Sequence, residues 1–234
     1  MRIEQDRPLS VISSPPQWQW KELMLGNSTD WSGISFDPAF AAQVEEFHFV
    51  SAWVTENYPI PPFSLVPFTS LRCIDLIGAC WNQPTLTAPA TVTDLYMDTV
   101  DGVMTLDLSA CSMNDVEINL WYYDTPDAIK ISHIKMPAVT GMFVASSWES
   151  SGGPITTLTV PPAINLGGDT PPILWFNGNS LTQASVNGLL VALAAGTSSG
   201  GDVDLSGGLN AAPGAAGLAA KATLVGRGWT VRHN

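Results

Sequence analysis

Residues 202–231 read DVDLSGGLNAAPGAAGLAAKATLVGRGWTV, and the fold follows from how this stretch divides. DVDL alternates polar and apolar residues, the period of a strand with one buried face. Ser206, Gly207 and Gly208 break the chain. APGAAGLAAKATLVGRG then has the small-residue composition of a helix entered near Pro213 and ended at Gly228. That helix is predicted over residues 214–226, with Leu218, Ala222 and Val225 on one face. Trp229, Thr230 and Val231 alternate again, so strand, helix and strand follow in order.

The same grammar runs upstream. Leu174, Phe176, Asn179 and Leu181 in ILWFNGNSL fill the second half of the repeat pattern L-x-x-L-x-L-x-x-N/C-x-L, and Trp229, Val231 and Asn234 repeat it. Leu174 and Val203 lie 29 residues apart and Val203 and Trp229 lie 26 apart, room for one helix in each interval. In the first interval Thr182 can cap, Leu181 and Val186 can staple the entry, and Gly196 can close the end, which predicts a helix over 183–195.

Further toward the N-terminus, VMTLDLSACSM places Val103, Leu106, Leu108, Cys111 and Met113 at every position of the pattern, with Cys in place of Asn. Weaker copies include Phe47/Phe49, Ile74/Leu76, Leu95/Met97, Ile129/Ile131, Met142/Val144 and Leu158/Val160. Their spacings, 13 and 16 residues from Ile129 to Met142 and from Met142 to Leu158, are too short for a helix, so these coils must close through loops or strands. Asn or Cys at its position turns inward to meet, or avoid leaving unmet, backbone polar groups in the bend.

The phrase DVDLSGGLNAAPGAAGLAAKATLVGRGWTV resembles leucine-rich-repeat sequences of phage virion proteins and bacterial surface proteins, closely over 171–234 and loosely over 70–170. The resemblance implies a β-rich α/β solenoid of irregular leucine-rich-repeat-like coils, with short parallel strands and helices mainly in the last two coils. It places the solenoid at 41–234. Residues 1–40, with SSPPQWQW and GNSTDWSGISFDPAF, read as an extended N-terminal anchoring arm whose Trp18, Trp20 and Trp31 dock on something.

Composition narrows the partners. Hydrophobic residues make up 45% and charged residues 13%, against roughly 25% charged in an average globular protein. A surface so poor in charge suits packing against other subunits. The net charge of −12 repels nucleic acid and anionic membranes, so neither is expected as a partner. The opening MRIEQDRPLS has charges where a signal peptide needs an apolar run, and no segment approaches the roughly 18 apolar residues of a spanning helix. No export signal or membrane insertion is expected. Cys73, Cys80 and Cys111 lie in apolar runs and read as buried thiols.

Gly196, Ser198 and Gly200 spell G-x-S-x-G, but the nucleophile elbow needs a strand before the serine and a helix after it, and here the order is reversed. GGDVDLSGG has Val203 where a calcium-binding nonapeptide needs glycine and Leu205 where it needs aspartate. Asp202 and Asp204 share a strand face, as a pair of acid/base carboxylates would, and read instead as solvated residues flanking Val203. Glu46 and His48 have metal-compatible spacing without a third ligand. His133 and His233 have no partner grammar, and Asn27-Ser28-Thr29 reads as a polar turn. No catalytic residue, metal or cofactor is expected.

The residue between the two leucines of each L-x-L points away from the core. This places Asp75, Tyr96, Asp107, Lys130, Phe143, Thr159, Trp175, Asp204 and Thr230 on the outer surface. Tyr96, Phe143 and Trp175, with Asp107 and Asp204, form the expected interaction face, because large aromatics on a wet face call for a cover. A register shifted by one buries these aromatics and exposes Met142, Leu174 and Phe176 instead. The resemblance then implies a non-enzymatic structural or attachment protein of a tailed-phage virion, such as a fibre, spike, baseplate or capsid-surface component. Its expected partners are other virion proteins or further copies of itself, a trimer in the manner of phage appendages, and a host surface receptor. Its expected place is the virion, assembled in the host cytoplasm. The alternative is a bacterial protein- or glycan-binding leucine-rich-repeat module.

Overall fold

The computed structural model describes residues 2–4, 21–26, 36–50, 59–60, 64–78, 80–81, 84–98, 103–120, 131–147, 152–166 and 172–234. In chain order the elements are β1 (Arg2–Glu4), β2 (Glu22–Gly26), α1 (Pro38–Ala41), β3 (Glu46–Val50), β4 (Pro59–Ile60), β5 (Cys73–Ile77), β6 (Cys80–Trp81), β7 (Thr85–Thr87), β8 (Asp94–Asp98), β9 (Thr105–Asp107), β10 (Ser112–Asn119), β11 (His133–Lys135), β12 (Val139–Val144), β13 (Thr157–Thr159), β14 (Asn165–Leu166), β15 (Ile173–Trp175), α2 (Gln183–Ala195), β16 (Gly201–Leu205), α3 (Ala215–Gly226) and β17 (Trp229–His233). The protein is sheet-rich α/β with few helices, and every strand pair among the described residues is parallel.

The main sheet runs β1-β2-β3-β5-β8-β10-β12-β15-β16-β17, with β14 beside β12. A second sheet runs β13-β11-β9-β7, and neither closes on itself. From β7 to β13 the chain alternates between the two, so each excursion to the second sheet returns to add a strand to the first. Parallel pairing requires such crossovers. After β13 the crossovers become helices: α2 packs on β13 and α3 packs on α2. The change follows chain length. The two intervals that the sequence assigns to helices hold α2 and α3, and the shorter ones hold three-residue strands.

One row of inward side chains crosses the main sheet in register: Leu23, Phe47, Ile74, Leu95, Val116, Phe143, Leu174, Val203 and Val231. All are buried, and Leu86, Leu106, Ile134 and Leu158 answer them from the second sheet. Burying a side chain of this size contributes about 1.5–3 kcal/mol before the entropy of ordering it is subtracted.

The structure corrects several expectations. Residues 1–40 are not an arm throughout: β1 and β2 join the main sheet, and Leu23 and Leu25 are buried beside Phe47 and Phe49. Trp18, Trp20 and Trp31 lie outside the described residues, as does Lys130. VMTLDLSACSM does not belong to one strand of one sheet. Its Thr105–Asp107 is β9 of the second sheet, and its Ser112 and Met113 begin β10 of the main sheet. Phe143 points into the core, because β12 buries Phe143 and leaves Met142 and Val144 partly exposed.

The helices match the predicted ranges closely. Thr182 caps α2 by accepting from the Ser185 backbone N–H, and Leu181 and Val186 are buried. Gly196 ends α2 in extended rather than left-handed backbone; the glycine is needed because a Cβ there would collide with the Ile164 carbonyl. On α3 the buried residues are Gly217, Ala220 and Leu224, leaving Leu218 and Val225 exposed. Glycine and alanine let α3 approach α2 closely, so the small side drives the packing.

Three asparagines bond across neighbouring bends. Asn179 is fully buried and donates to the carbonyls of Ala145 (2.7 Å) and Phe176 (3.2 Å). Asn210 donates to Phe176 (2.9 Å) and accepts from the Leu181 N–H (2.8 Å), and Asn234 donates to the Asn210 carbonyl (2.7 Å). These side chains tie successive bends together. Cys111, at the corresponding position of its own segment, is a free, buried thiol facing the Pro89 carbonyl at 3.2 Å. Cys73 is also free but half-buried on the outer face, not in the core.

Thr140 is fully buried and its Oγ1 has no hydrogen-bond partner. Thr140→Val keeps the shape and removes the orphaned hydroxyl, so it is expected to stabilise by about 1 kcal/mol. A urea midpoint that rises with the m-value unchanged supports this; a fall means the hydroxyl is satisfied.

Candidate functional site

Alternation along each strand gives the main sheet an outer face with two usable rows. One row, read across paired strands, is Met24, His48, Asp75, Tyr96, Glu117, Val144, Trp175, Asp204 and Arg232. The second lies two residues earlier on each strand and includes Glu46, Cys73, Asp94, Asp115, Met142, Ile173, Asp202 and Thr230. Of the expected interaction face, Tyr96, Trp175 and Asp204 stand on this surface. Phe143 does not, and Asp107 is on the second sheet, where its carboxylate meets Lys135 Nζ (2.7 Å) and accepts from the Ser109 hydroxyl (2.6 Å).

The face has three zones. Over β2 to β10 it is acidic, with Glu46, Asp75, Asp94, Asp115 and Glu117 on neighbouring strands. His48 sits among them, its Nδ1 3.2 Å from Asp75 and its Nε2 3.4 Å from Glu46. The Asp75 hydrogen bond raises the imidazole pKa above its usual value, against burial and with help from Glu46 and Glu22. Burial, with Asp94, Glu46 and Asp75 adding repulsion, pushes the Cys73 thiol up to about 11, so it is a poor nucleophile at neutral pH. Burial also raises the Tyr96 phenol, which accepts from Asn119 Nδ2 at 3.0 Å.

The middle zone, on β12 and β15, is apolar. Met142, Val144, Ile173 and Trp175 are all partly exposed, and Asp115 and Glu117 border them on β10. Burial, Asp94 and Glu117 together hold the Asp115 carboxyl above its ordinary pKa. The far border is an ion-pair fork: Arg232 Nε donates to Asp204 and its Nη2 to Asp202, each at 2.9 Å. Burial pushes Asp204 upward, but the Ser206 hydroxyl and N–H and the Arg232 guanidinium outweigh it and leave the carboxyl below its usual range. Trp175 Nε1 and Asp202 Oδ1 are both screened from solvent without a partner.

His48 gives a pH dependence with a definite sign. Its folded pKa lies above the unfolded value of about 6.5, so its stabilisation is complete below that pH and is lost as pH rises through the folded pKa. His48→Gln is expected to flatten the thermal midpoint against pH on the alkaline side of 6.5. An unchanged slope sinks the assignment.

The chemical motifs resolve into structural ties. Ser198 Oγ accepts from the Leu166 N–H at 2.9 Å, in a turn that follows α2 and precedes β16. Asp202 and Asp204 serve one guanidinium rather than a proton transfer. His133 pairs with the Thr159 hydroxyl at 2.8 Å, and His233 accepts from Lys221 at 2.9 Å. Among the described residues no group of three or more metal-ligating side chains converges, and no helix is long and apolar enough to cross a membrane.

Sequence reasoning found Trp175, offered Met142 only under the shifted register, and missed Ile173. The L-x-L rule gives one outward residue per strand, whereas strict period-2 alternation gives the residue two positions away as well. Applied to Ile173-Leu174-Trp175, alternation alone yields both members of the apolar zone on that strand. Compared with protein-family models, with curated proteins and with solved structures, the chain finds no match.

Proposed function

We infer that the chain is a non-enzymatic structural or attachment protein of a tailed-phage virion. Its coils would stack as an open, leucine-rich-repeat-like solenoid, and the outer face of the main sheet would be the docking surface. The observation that carries this reading is the apolar zone of Met142, Val144, Ile173 and Trp175 between two charged borders. An apolar patch with a polar rim is the usual anatomy of a protein contact. Residues 171–234 supply the virion context by resemblance, and fold alone does not choose a function. On this reading the partners are other virion proteins, further copies of the chain or a host receptor, and the protein resides in the particle.

Trp175→Ser tests the surface. It is expected to reduce incorporation into particles, measured by quantitative mass spectrometry of purified virions, while changing stability by about 1 kcal/mol or less. Unchanged incorporation, or a collapse in folding, overturns the assignment.

A second reading is a bacterial module that binds a protein or glycan. It is favoured by one observation: Trp175 is in register with Asp204, on the strand next to the one whose Asp202 and Asp204 pair with Arg232, which puts a partly exposed aromatic on the same face as hydrogen-bonding groups. Binding of neutral oligosaccharides that Trp175→Ser abolishes, with no particle association, selects it.

A further inference from the structure

The helices α2 and α3 carry almost no charge. Of their 13 and 12 residues only Lys221 is ionisable, where an average globular stretch of that length has about six charges. Lys221 is itself partly buried and donates to His233 at 2.9 Å. A helix that is apolar all round is normally enclosed by protein. These two are enclosed on one side only. α2 packs on β13 and α3 on α2, yet Val191, Leu218 and Val225 are 43%, 49% and 52% exposed. Leu218, Ala222 and Val225 form the stripe whose spacing calls for burial, and all three face solvent in the single chain. The other exposed positions on these helices are mostly alanine.

What covers this plate has to be apolar and has to approach an acidic protein. The chain carries a net charge of −12, and none of its Asp or Glu residues lies on α2 or α3. Two copies that meet through a carboxylate-bearing face bring like charges together. Through their helix layers they bring together leucine, valine and alanine. Lipid fits less well, because a helix lying in a membrane interface has Lys or Arg along its polar face and aromatics on the other. Neither α2 nor α3 has an aromatic or an arginine. Size is adequate for a weak pair. The helices are about 18–20 Å long and about 8–10 Å apart, a plate of about 20 Å each way. Two such plates bury on the order of 1,000 Å², the lower limit of a specific contact.

We propose that two copies of this chain pair through their helix layers, with Val191, Leu218 and Val225 of each packed in the contact. The same patch serves both copies, so the contact is isologous and closes at two. It does not use the outer face of the main sheet and is independent of the docking reading given above. Each copy carries −12, so salt screens their mutual repulsion and tightens an apolar contact.

Sedimentation equilibrium of the purified chain, over a dilution series at low and high salt, tests this. The average mass is expected to rise from one chain to two with no larger species, and to do so at lower concentration in high salt. Leu218→Glu and Val191→Glu each place a carboxylate in the plate of both copies and are expected to weaken pairing about tenfold or more. Circular dichroism establishes that each variant is folded, and Leu218→Ala/Val225→Ala replaces them if a carboxylate unfolds its helix. Trp175→Ser is expected to pair like wild type. A wild type that stays one chain at every concentration overturns the proposal, as do growth beyond two chains, pairing that weakens with salt, folded plate variants that pair like wild type, and a Trp175→Ser variant that no longer pairs. A single chain that floats with phosphatidylcholine vesicles, and stops floating as Leu218→Glu, assigns the plate to lipid and also overturns it. Particle incorporation of Trp175→Ser reads the other face, so failure of one reading leaves the other standing.

Discussion

Phe143→Ala is expected to lower the free energy of unfolding by about 3–5 kcal/mol, the range for removing a fully buried aromatic. Phe143 is 0% exposed and lies in the inward row between Val116 and Leu174. Its ring stacks on Phe176 with centroids 5.1 Å apart and planes at 26°. Truncation removes the transfer energy of the ring and leaves a cavity lined by side chains that parallel strands on both sides hold in place, so little collapse is available to offset it. Trp175, paired with Val144 one position further along the same two strands, points the other way, and its replacement by serine is expected to cost only about 1 kcal/mol. Urea unfolding of the two variants side by side reads the register of β12 and β15 directly. A small loss for Phe143→Ala together with a large one for Trp175→Ser requires the opposite register.

That contrast marks where the sequence is legible. Around Trp175 the flanking Leu174 and Phe176 are both strongly apolar, and Phe176 leads to the bend with Asn179, which fixes the inward side. Around Phe143 the segment VTGMFVAS offers apolar residues to either side, and nothing polar marks the outer one. A one-residue slip there is invisible until the neighbouring strands impose it. Asp107 fails for a different reason. V-x-x-L-x-L describes any short strand with a buried face followed by a bend, so it recognises β9 correctly without saying which of two sheets the strand joins. Local capping chemistry was the most legible signal: Thr182 and Leu181 act within one turn of α2 and need no knowledge of distant contacts. The helix α3 was legible in extent but not in orientation, because its large residues suggest one buried face while close packing against α2 selects the small one.

The bends offer a sharper test of how closely successive coils approach, and Gly178→Ala is expected to be among the most damaging substitutions, costing about 4 kcal/mol or more. Gly178 has φ +74°, a left-handed conformation that costs a residue with a Cβ about 1–2 kcal/mol. A Cβ there would also lie inside the van der Waals envelope of the Ser147 carbonyl, a backbone atom that cannot swing aside. Relief requires the bend to move, yet Gly178 N–H donates to Ser206 at 2.9 Å, its carbonyl accepts from Gly153 at 2.7 Å, and the adjacent Asn179 is fully buried and bonded to Ala145. Displacement therefore strains hydrogen bonds to three other segments, each of which costs about 1–3 kcal/mol if left unmade in a buried site. Gly228→Ala supplies the control. Its φ is +85°, but a Cβ there meets nothing within 4 Å, so it carries the conformational cost alone. The difference between the two midpoints in urea isolates the close approach of the coils from left-handed strain. Equal losses at both positions would mean that the backbone at Ser147 and Gly178 is not in contact, and the stacking of these bends would have to be abandoned.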